Sequence, residues 1–250
     1  MFWLEKQSFN LADKSIATNK SYREVAIDRG GMAPEDVYIV RNAPELKKFD
    51  RLRRELEEEI EEKDHLQVGY VGVMGSQEGI DLLLESARII KERREDIKFV
   101  LIGSGPAAEE LQKQAKEMNL ADTVEFTGRI SDKELVRRLL ESDICVNPDL
   151  ATPMNDKSTM NKIMEYMALE KPIVQFNLTE GRYSAKKASL YAEDNNPGDM
   201  ANKILELANN PEKRTKMGKF GRNRLEQKLA WQKQKQNLKK LYANLFSPAQ

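Results

Sequence analysis

The sequence predicts an α/β protein: a doubly wound parallel sheet with an incomplete α/β appendage on its N-terminal side. Three observations carry this prediction. From Gln67 onward, strand-like and helix-like patterns alternate. Ile97 to Ile102 is a near-continuous apolar run, the mark of a strand buried on both faces of a parallel sheet. Glycine-bearing or polar turns follow the strands at Gly72–Gly75, Gly103–Gly105, Gly128-Arg129 and Asn147–Lys157. Successive β-α-β units with right-handed crossovers leave few other topologies.

Residues 1–44 read as the remnant of a larger domain's end. Phe2 to Leu11 has the pattern of an amphipathic helix and Asp13 to Thr18 that of a short strand. Ser21 to Arg29 is helical and closed by Gly30-Gly31, a favoured left-handed stop. Val37 to Val40 is a second strand, ended by Asn42-Ala43-Pro44. Two strands with few apolar residues are too little for a separate core. Residues 45–65 are a charged linker helix, basic from Lys47 to Arg54 and acidic from Glu55 to Asp64. Pairs four apart, such as Arg54–Glu58, support an exposed helix with a solvated face.

Residues 66–230 carry the sheet. Val68 to Gly72 is a strand, and Gly79 to Lys91 a helix with Ile80, Leu83, Leu84, Ala87 and Ile90 on one side. After the Ile97–Ile102 strand come helix Ala107 to Met118, strand Val124 to Thr127, helix Asp132 to Glu141 and strand Ile144 to Asn147. Ser189 to Ala192 is a short strand; Pro197 to Ala208 and Pro211 to Lys228 are helices. Residues 231–250 hold a terminal helix, Trp231 to Phe246, expected to pack back on the N-terminal region.

Bulk composition excludes several function classes. Lys plus Arg and Asp plus Glu each number 41 in 250 residues, so no broad nucleic-acid footprint is expected. The one cysteine, Cys145, excludes an internal disulfide and fits a reducing, cytoplasmic setting. Its neighbours Ile144 and Val146 make it a buried strand thiol rather than a nucleophile. No apolar run reaches the roughly 20 residues of a membrane span, and Met1-Phe2-Trp3-Leu4 runs straight into Glu5 and Lys6, unlike a signal peptide. A single histidine, His65, leaves no His cluster for zinc and little promise of a Ser-His-Asp arrangement; no metal site is expected.

The chain is organised around Lys157 to Gln175, KSTMNKIMEYMALEKPIVQ. A polar loop enters at Ser158-Thr159, a helix with Ile163, Met164, Met167 and Ala168 follows, and Lys171-Pro172 breaks it before strand Ile173-Val174. Glu165 is the one carboxylate inside the otherwise apolar helical part of this stretch. A helix N-terminus with unpaired N–H groups holds phosphate, and a glutamate about two turns along reaches the hydroxyls of an attached sugar. In open α/β sheets ligands sit beyond the carboxyl ends of the strands, where these turns lie.

Four segments, YVGVMGSQEGIDLLLESA, FVLIGSGPAAEEL, VEFTGRISDKELVRRLLESDICVNP and KIMEYMALEKPIV, in that order, resemble the C-terminal, donor-binding half of GT-B glycosyltransferases, in particular glycosyltransferase family 4. The likeness covers about residues 66–246, and residues 12–44 resemble the last strands and helix of that family's N-terminal half. It implies Rossmann-like domains, a nucleoside-diphosphate sugar as donor substrate with no separate cofactor, and retention at the anomeric carbon. It implies that Glu165 hydrogen-bonds the ribose of the nucleotide, and that Thr159 and Met160 present backbone N–H groups to the diphosphate. Gly103, Gly105 and Arg129 would line the base pocket, and Gly75 would lie in the loop facing the diphosphate.

Four departures stand out. The family's first glutamate would fall at Lys157; a basic pair before the first helix would fall near Val73 and at Glu78. Lys157 and Lys162 are the candidates to replace that lost positive charge. Glu170 stands where relatives have glycine, at a left-handed position that strains a residue with a Cβ by roughly 1 kcal/mol. The acceptor-binding half is missing, and His65 does not match the family's histidine near the reacting sugar. The expected partner besides the donor is therefore a further N-terminal domain or a separate chain supplying the acceptor site, with peripheral membrane contact open and no integral segment. The alternatives are a non-catalytic scaffolding module, or a subunit of a split glycosyltransferase. A dinucleotide oxidoreductase ranks lower, because Gly103-Ser104-Gly105 has Ala108 where the third glycine belongs and no catalytic Tyr-Lys or His accompanies it.

Overall fold

The computed structural model describes residues 2–60 and 62–246; the portions of the 1–44, 45–65 and 231–250 expectations that fall on Met1, Glu61 and 247–250 lie outside them. In chain order the elements are α1 (Phe2–Leu11), β1 (Ser15–Ala17), α2 (Lys20–Glu24), β2 (Val37–Ile39), α3 (Leu46–Leu56), β3 (Leu66–Val71), α4 (Ile80–Lys91), β4 (Ile97–Ile102), α5 (Ala108–Glu117), β5 (Val124–Gly128), α6 (Asp132–Glu141) and β6 (Ile144–Asn147). They continue with α7 (Pro153–Asp156), α8 (Asn161–Ala168), β7 (Ile173–Phe176), α9 (Thr179–Ala185), β8 (Ser189–Ala192), α10 (Pro197–Ala208), α11 (Pro211–Arg224) and α12 (Trp231–Phe246).

Six strands form one parallel sheet in the order β5-β4-β3-β6-β7-β8, and β1 and β2 form a separate two-stranded parallel sheet. Alternate residues along each central strand serve opposite faces, as the pleat requires. Val68, Tyr70, Phe99, Leu101, Ile144, Val146, Val174 and Phe176 pack with α4, α5 and α10. Val71, Val100, Ile102, Cys145 and Ile173 pack with α3, α6 and α8 on the other side. Cys145 is fully buried, and burial pushes its thiol up to about 12, so it is a packing group.

Two readings of the helices change. The charged helix over 45–65 is not a solvated spacer: Leu52 and Leu56 are buried against the sheet face that α6 and α8 cover, and the α-helix stops at Leu56. The Ser21–Arg29 helix is two pieces, because its turns widen to a π-helix over Val25–Arg29 before Gly31 takes the left-handed stop at φ 75°. Helices α7 and α9 are too short to show a 3.6-residue period, and the sequence patterns miss both.

The chain turns from one side of the sheet to the other between β3 and β6. Their pairing lasts only from Val68–Ile144 to Gly69–Cys145, after which the strands diverge. Tyr166, fully buried on α8, bridges the gap: its hydroxyl accepts from the Val71 N–H at 3.0 Å and donates to the Val146 carbonyl at 3.1 Å.

The two-stranded unit is bolted to the main sheet through buried charge. Arg41 and Glu180 are 4% and 2% exposed and meet at 3.0 Å. The other Glu180 oxygen accepts from the Ser21 N–H and hydroxyl. Helix α12 closes the same seam, where Gln234 accepts from the Arg41 N–H and Asn237 donates to the Ile39 carbonyl.

Removing one partner of a buried, hydrogen-bonded ion pair leaves an uncompensated charge. Arg41→Ala is therefore expected to lower unfolding free energy in urea by about 3–5 kcal/mol. Arg88→Ala, which breaks the exposed pair with Glu92, is expected to lose well under about 1 kcal/mol. Tyr166→Phe strands two backbone groups and should lose about 1–3 kcal/mol. Equal losses for Arg41→Ala and Arg88→Ala would contradict the buried latch.

Candidate functional site

A cavity of about 690 Å³ opens beyond the carboxyl ends of β3 and β4 and is walled by the α7–α8 segment. It lies at the reversal of strand order, where the fold leaves a crevice. Gly72 and Val73 follow β3, Gly103 follows β4, Arg129 follows β5 and Asp149 follows β6; all five line the cavity. Gln77 binds the β6 side to the β3 side: its carbonyl accepts from the Leu150 N–H and the buried Asn155 side chain.

The start of α8 forms the facing wall. Its N-cap, Met160, gives no side-chain cap, whereas Asn19, Ser131, Thr152, Asn196 and Asn210 cap α2, α6, α7, α10 and α11. Among the described residues, the N–H groups of Thr159, Met160, Asn161 and Lys162 have no hydrogen-bond partner. All four residues line the cavity. Glu165 lines it too, one helical turn further on, and burial pushes its carboxyl above the usual range, with nearby Lys162 pulling the other way.

Charge in the cavity is lopsided. Carboxylates Glu78, Asp132, Asp149 and Glu165 line it, against cations Arg129 and Lys162. Asp132 is paired with Lys48 outside the lining. Lys162 is committed to Asp149, 3.0 and 3.2 Å from its two oxygens, and lies over the Tyr70 ring. Burial, then the Glu78 charge, pushes the Asp149 carboxyl up, and Lys162 opposes both. Arg129 is exposed and has no ion-pair partner among the described residues. No group of three or more His, Cys, Asp or Glu among the described residues is arranged to hold a metal ion.

The structure thus brings Glu165, Thr159, Met160, Lys162, Gly103 and Arg129 together and leaves out three expected residues. Gly105 lies outside the lining and is a backbone-packing glycine: a Cβ there would lie 2.5–2.8 Å from the Met74 backbone, so the turn packs on its neighbouring loop. Gly75 is also outside the lining, and the Glu78 carboxylate stands 2.8 Å from where its Cβ would be. Lys157 is exposed outside the lining, so it supplies no charge to the cavity wall. His65 precedes β3, at the sheet's opposite end from the cavity. Glu170 does adopt the left-handed position, φ 56°, and pairs with Arg53 at 2.7 Å.

Sequence reasoning missed Tyr166, Asp149, Asn19 and Tyr22. Tyr166 is a phenol inside an apolar helix, a signal that a polar partner is near. Asp149 two residues past a buried strand is a similar cue. Asn19 and Tyr22 carry no such mark, because only tertiary contact brings them to Ser158 and Thr159.

The family model for glycosyl transferases group 1 matches residues 53–224. The chain belongs to that family. An uncharacterized glycosyltransferase of Methanocaldococcus jannaschii is 29% identical over 182 residues, 70% of this chain and 47% of its own length. The chain spans less than two thirds of the length of the curated relatives it matches. A sucrose-phosphate synthase of Thermosynechococcus elongatus superposes with a TM-score of 0.83 at 21% identity, over 99% of this chain and 62% of that one. A crystal structure of Anabaena HepE in complex with UDP and glucose gives 0.77 at 15% identity, over 97% and 67%. The fold is that of GT-B glycosyltransferases. No helix among the described residues is long and apolar enough to cross a membrane.

For this glycosyltransferase chain the raised Glu165 carboxyl sets a pH dependence. Between the ordinary glutamate value, about 4.3, and the raised folded one, the folded state holds more protons than the unfolded state. Stability is then lost as pH rises through that window. Glu165→Gln removes this loss. Urea unfolding at several pH values from about 4 to 8 is expected to show the variant's advantage growing with pH; a constant difference would contradict the burial of this carboxyl.

Proposed function

We propose that the chain is the donor-binding portion of a retaining GT-B glycosyltransferase of family 4. It would move a sugar from a nucleoside-diphosphate sugar to an acceptor hydroxyl in surface polysaccharide or glycoconjugate synthesis. The observation that carries the reading is the uncapped start of α8: four residues whose N–H groups have no partner among the described residues line a cavity that Glu165 also lines, one turn further on. Successive N–H groups at a helix start favour an anion, and a charged carboxylate accepts from both hydroxyls of a ribose. Arg129, free of an ion pair among the described residues, is the cation available to the nucleotide. Catalysis would come from positioning and from stabilising the departing diphosphate at those amides. Family membership, the resemblance in motif order and the UDP-bound state of HepE support the reading.

The alternative, a scaffolding or split-enzyme subunit without transfer of its own, has its own support. Lys157 replaces the family's sugar-holding carboxylate and lies outside the cavity lining, and Lys162 is already paired. The partner implied by either reading is a domain or chain supplying the acceptor site.

Calorimetry with UDP, GDP, ADP and dTDP is expected to show binding of at least one, weakened about tenfold or more by Glu165→Ala. That is about 1.4 kcal/mol, the size of one charge-assisted hydrogen bond. Silence from all four diphosphates would count against the donor reading. Sugar transfer by this chain alone would eliminate the scaffolding one.

A further inference from the structure

We propose that Asn19 is a positioning residue for the nucleotide cleft, so that the two-stranded unit is a working component of that site. The proposal rests on the reading of the cleft as a nucleoside-diphosphate site. Asn19 is fully buried between β1 and α2. Its side chain makes three hydrogen bonds. The oxygen accepts from the Tyr22 N–H at 2.7 Å; the nitrogen donates to the Lys157 carbonyl at 2.7 Å and to the Thr159 hydroxyl at 2.9 Å. Both side-chain protons of the amide are thereby spent on Lys157 and Thr159, in the loop that leads into α8.

Those contacts matter because little else holds that stretch. The Lys157 and Ser158 N–H groups bond back to α7, and the next backbone bond is from Ile163 to Met160. The four open N–H groups between them have no backbone bond to fix their aim. Tyr22 reinforces the grip and lines the cavity. The Ser158 hydroxyl donates to the Met154 carbonyl, so it is the Tyr22 hydroxyl that donates to Ser158, at 3.0 Å. A single amide therefore caps the helix that delivers Tyr22 and anchors the loop that presents the phosphate-facing amides. Anchoring the loop is a cost met before the ligand arrives, which is how pre-organisation improves affinity.

The consequence is selective. Losing Asn19 should disturb the diphosphate end of a ligand and spare the end held by Glu165. The test titrates the unmodified chain with UDP, GDP, ADP and dTDP, then compares the tightest binder with its own nucleoside by NMR. Asn19→Ala is expected to weaken diphosphate binding about tenfold while changing nucleoside binding less than about twofold; Glu165→Ala weakens both. Asn19→Asp keeps the acceptor for the Tyr22 N–H but sets a charge against the Lys157 carbonyl, and should lose diphosphate affinity as Ala does. Full diphosphate affinity in Asn19→Ala overturns the proposal, as does an equal loss of diphosphate and nucleoside. Retained affinity in Asn19→Asp alongside loss in Asn19→Ala reduces Asn19 to a helix cap and also overturns it. If none of the four diphosphates binds the unmodified chain, the nucleotide reading itself falls, and this inference with it.

Discussion

The Tyr166 hydroxyl, set between the Val71 N–H and the Val146 carbonyl, is the contact on which the site depends. A sheet that reverses its winding must separate a pair of parallel strands, and the separated edges expose backbone groups that need partners. Here β3 and β6 diverge after Gly69 and Cys145. The phenol takes one donor from one strand and one acceptor from the other, so the gap stays open and satisfied. Because Tyr166 sits on α8, the same contact fixes the helix whose first turn faces the cavity. Glu165 is its sequence neighbour and is carried with it.

The second constraint is the seam between the two-stranded unit and the main sheet. Two charges taken from water cost several kcal/mol each unless geometry and hydrogen bonds compensate. Glu180 receives Arg41 on one oxygen and Ser21 on the other, which is that compensation. The Arg41 guanidinium also lies over the Tyr183 ring at 4.1 Å. A seam built this way favours one docking geometry, because any slip leaves a buried charge unpaired. That geometry puts the α2 start against the loop before α8, and thus Tyr22 into the cavity wall.

Within the cavity, attraction and repulsion are divided between backbone and side chains. Side chains contribute more carboxylate than cation, and the partly buried cation Lys162 is held by Asp149. Under the donor-site proposal, positive potential for an anion would come instead from the α8 amides. This differs from a cleft built on a basic pair, and Glu78 at the position of one missing base reinforces the difference.

The sequence alone determined the sheet. Apolar runs such as Ile97–Ile102 and the helices at Asp132–Glu141 and Pro197–Ala208 lie where their periodicities place them, because burial on one or both faces is written in local spacing. It also marked Glu165, a lone carboxylate in an apolar helix, and the strand-end turns. It did not distinguish a glycine that lines the cavity, such as Gly103, from one that does not, such as Gly105. Gly105 answers to the Met74 backbone, a neighbour reached only by folding. Nor did it join Asn19 to Thr159 or Arg41 to Glu180, whose contacts span 140 and 139 residues. Tertiary structure decided which polar groups pair and which stay open, because desolvation acts on neighbours in space, and chain spacing carries no record of them.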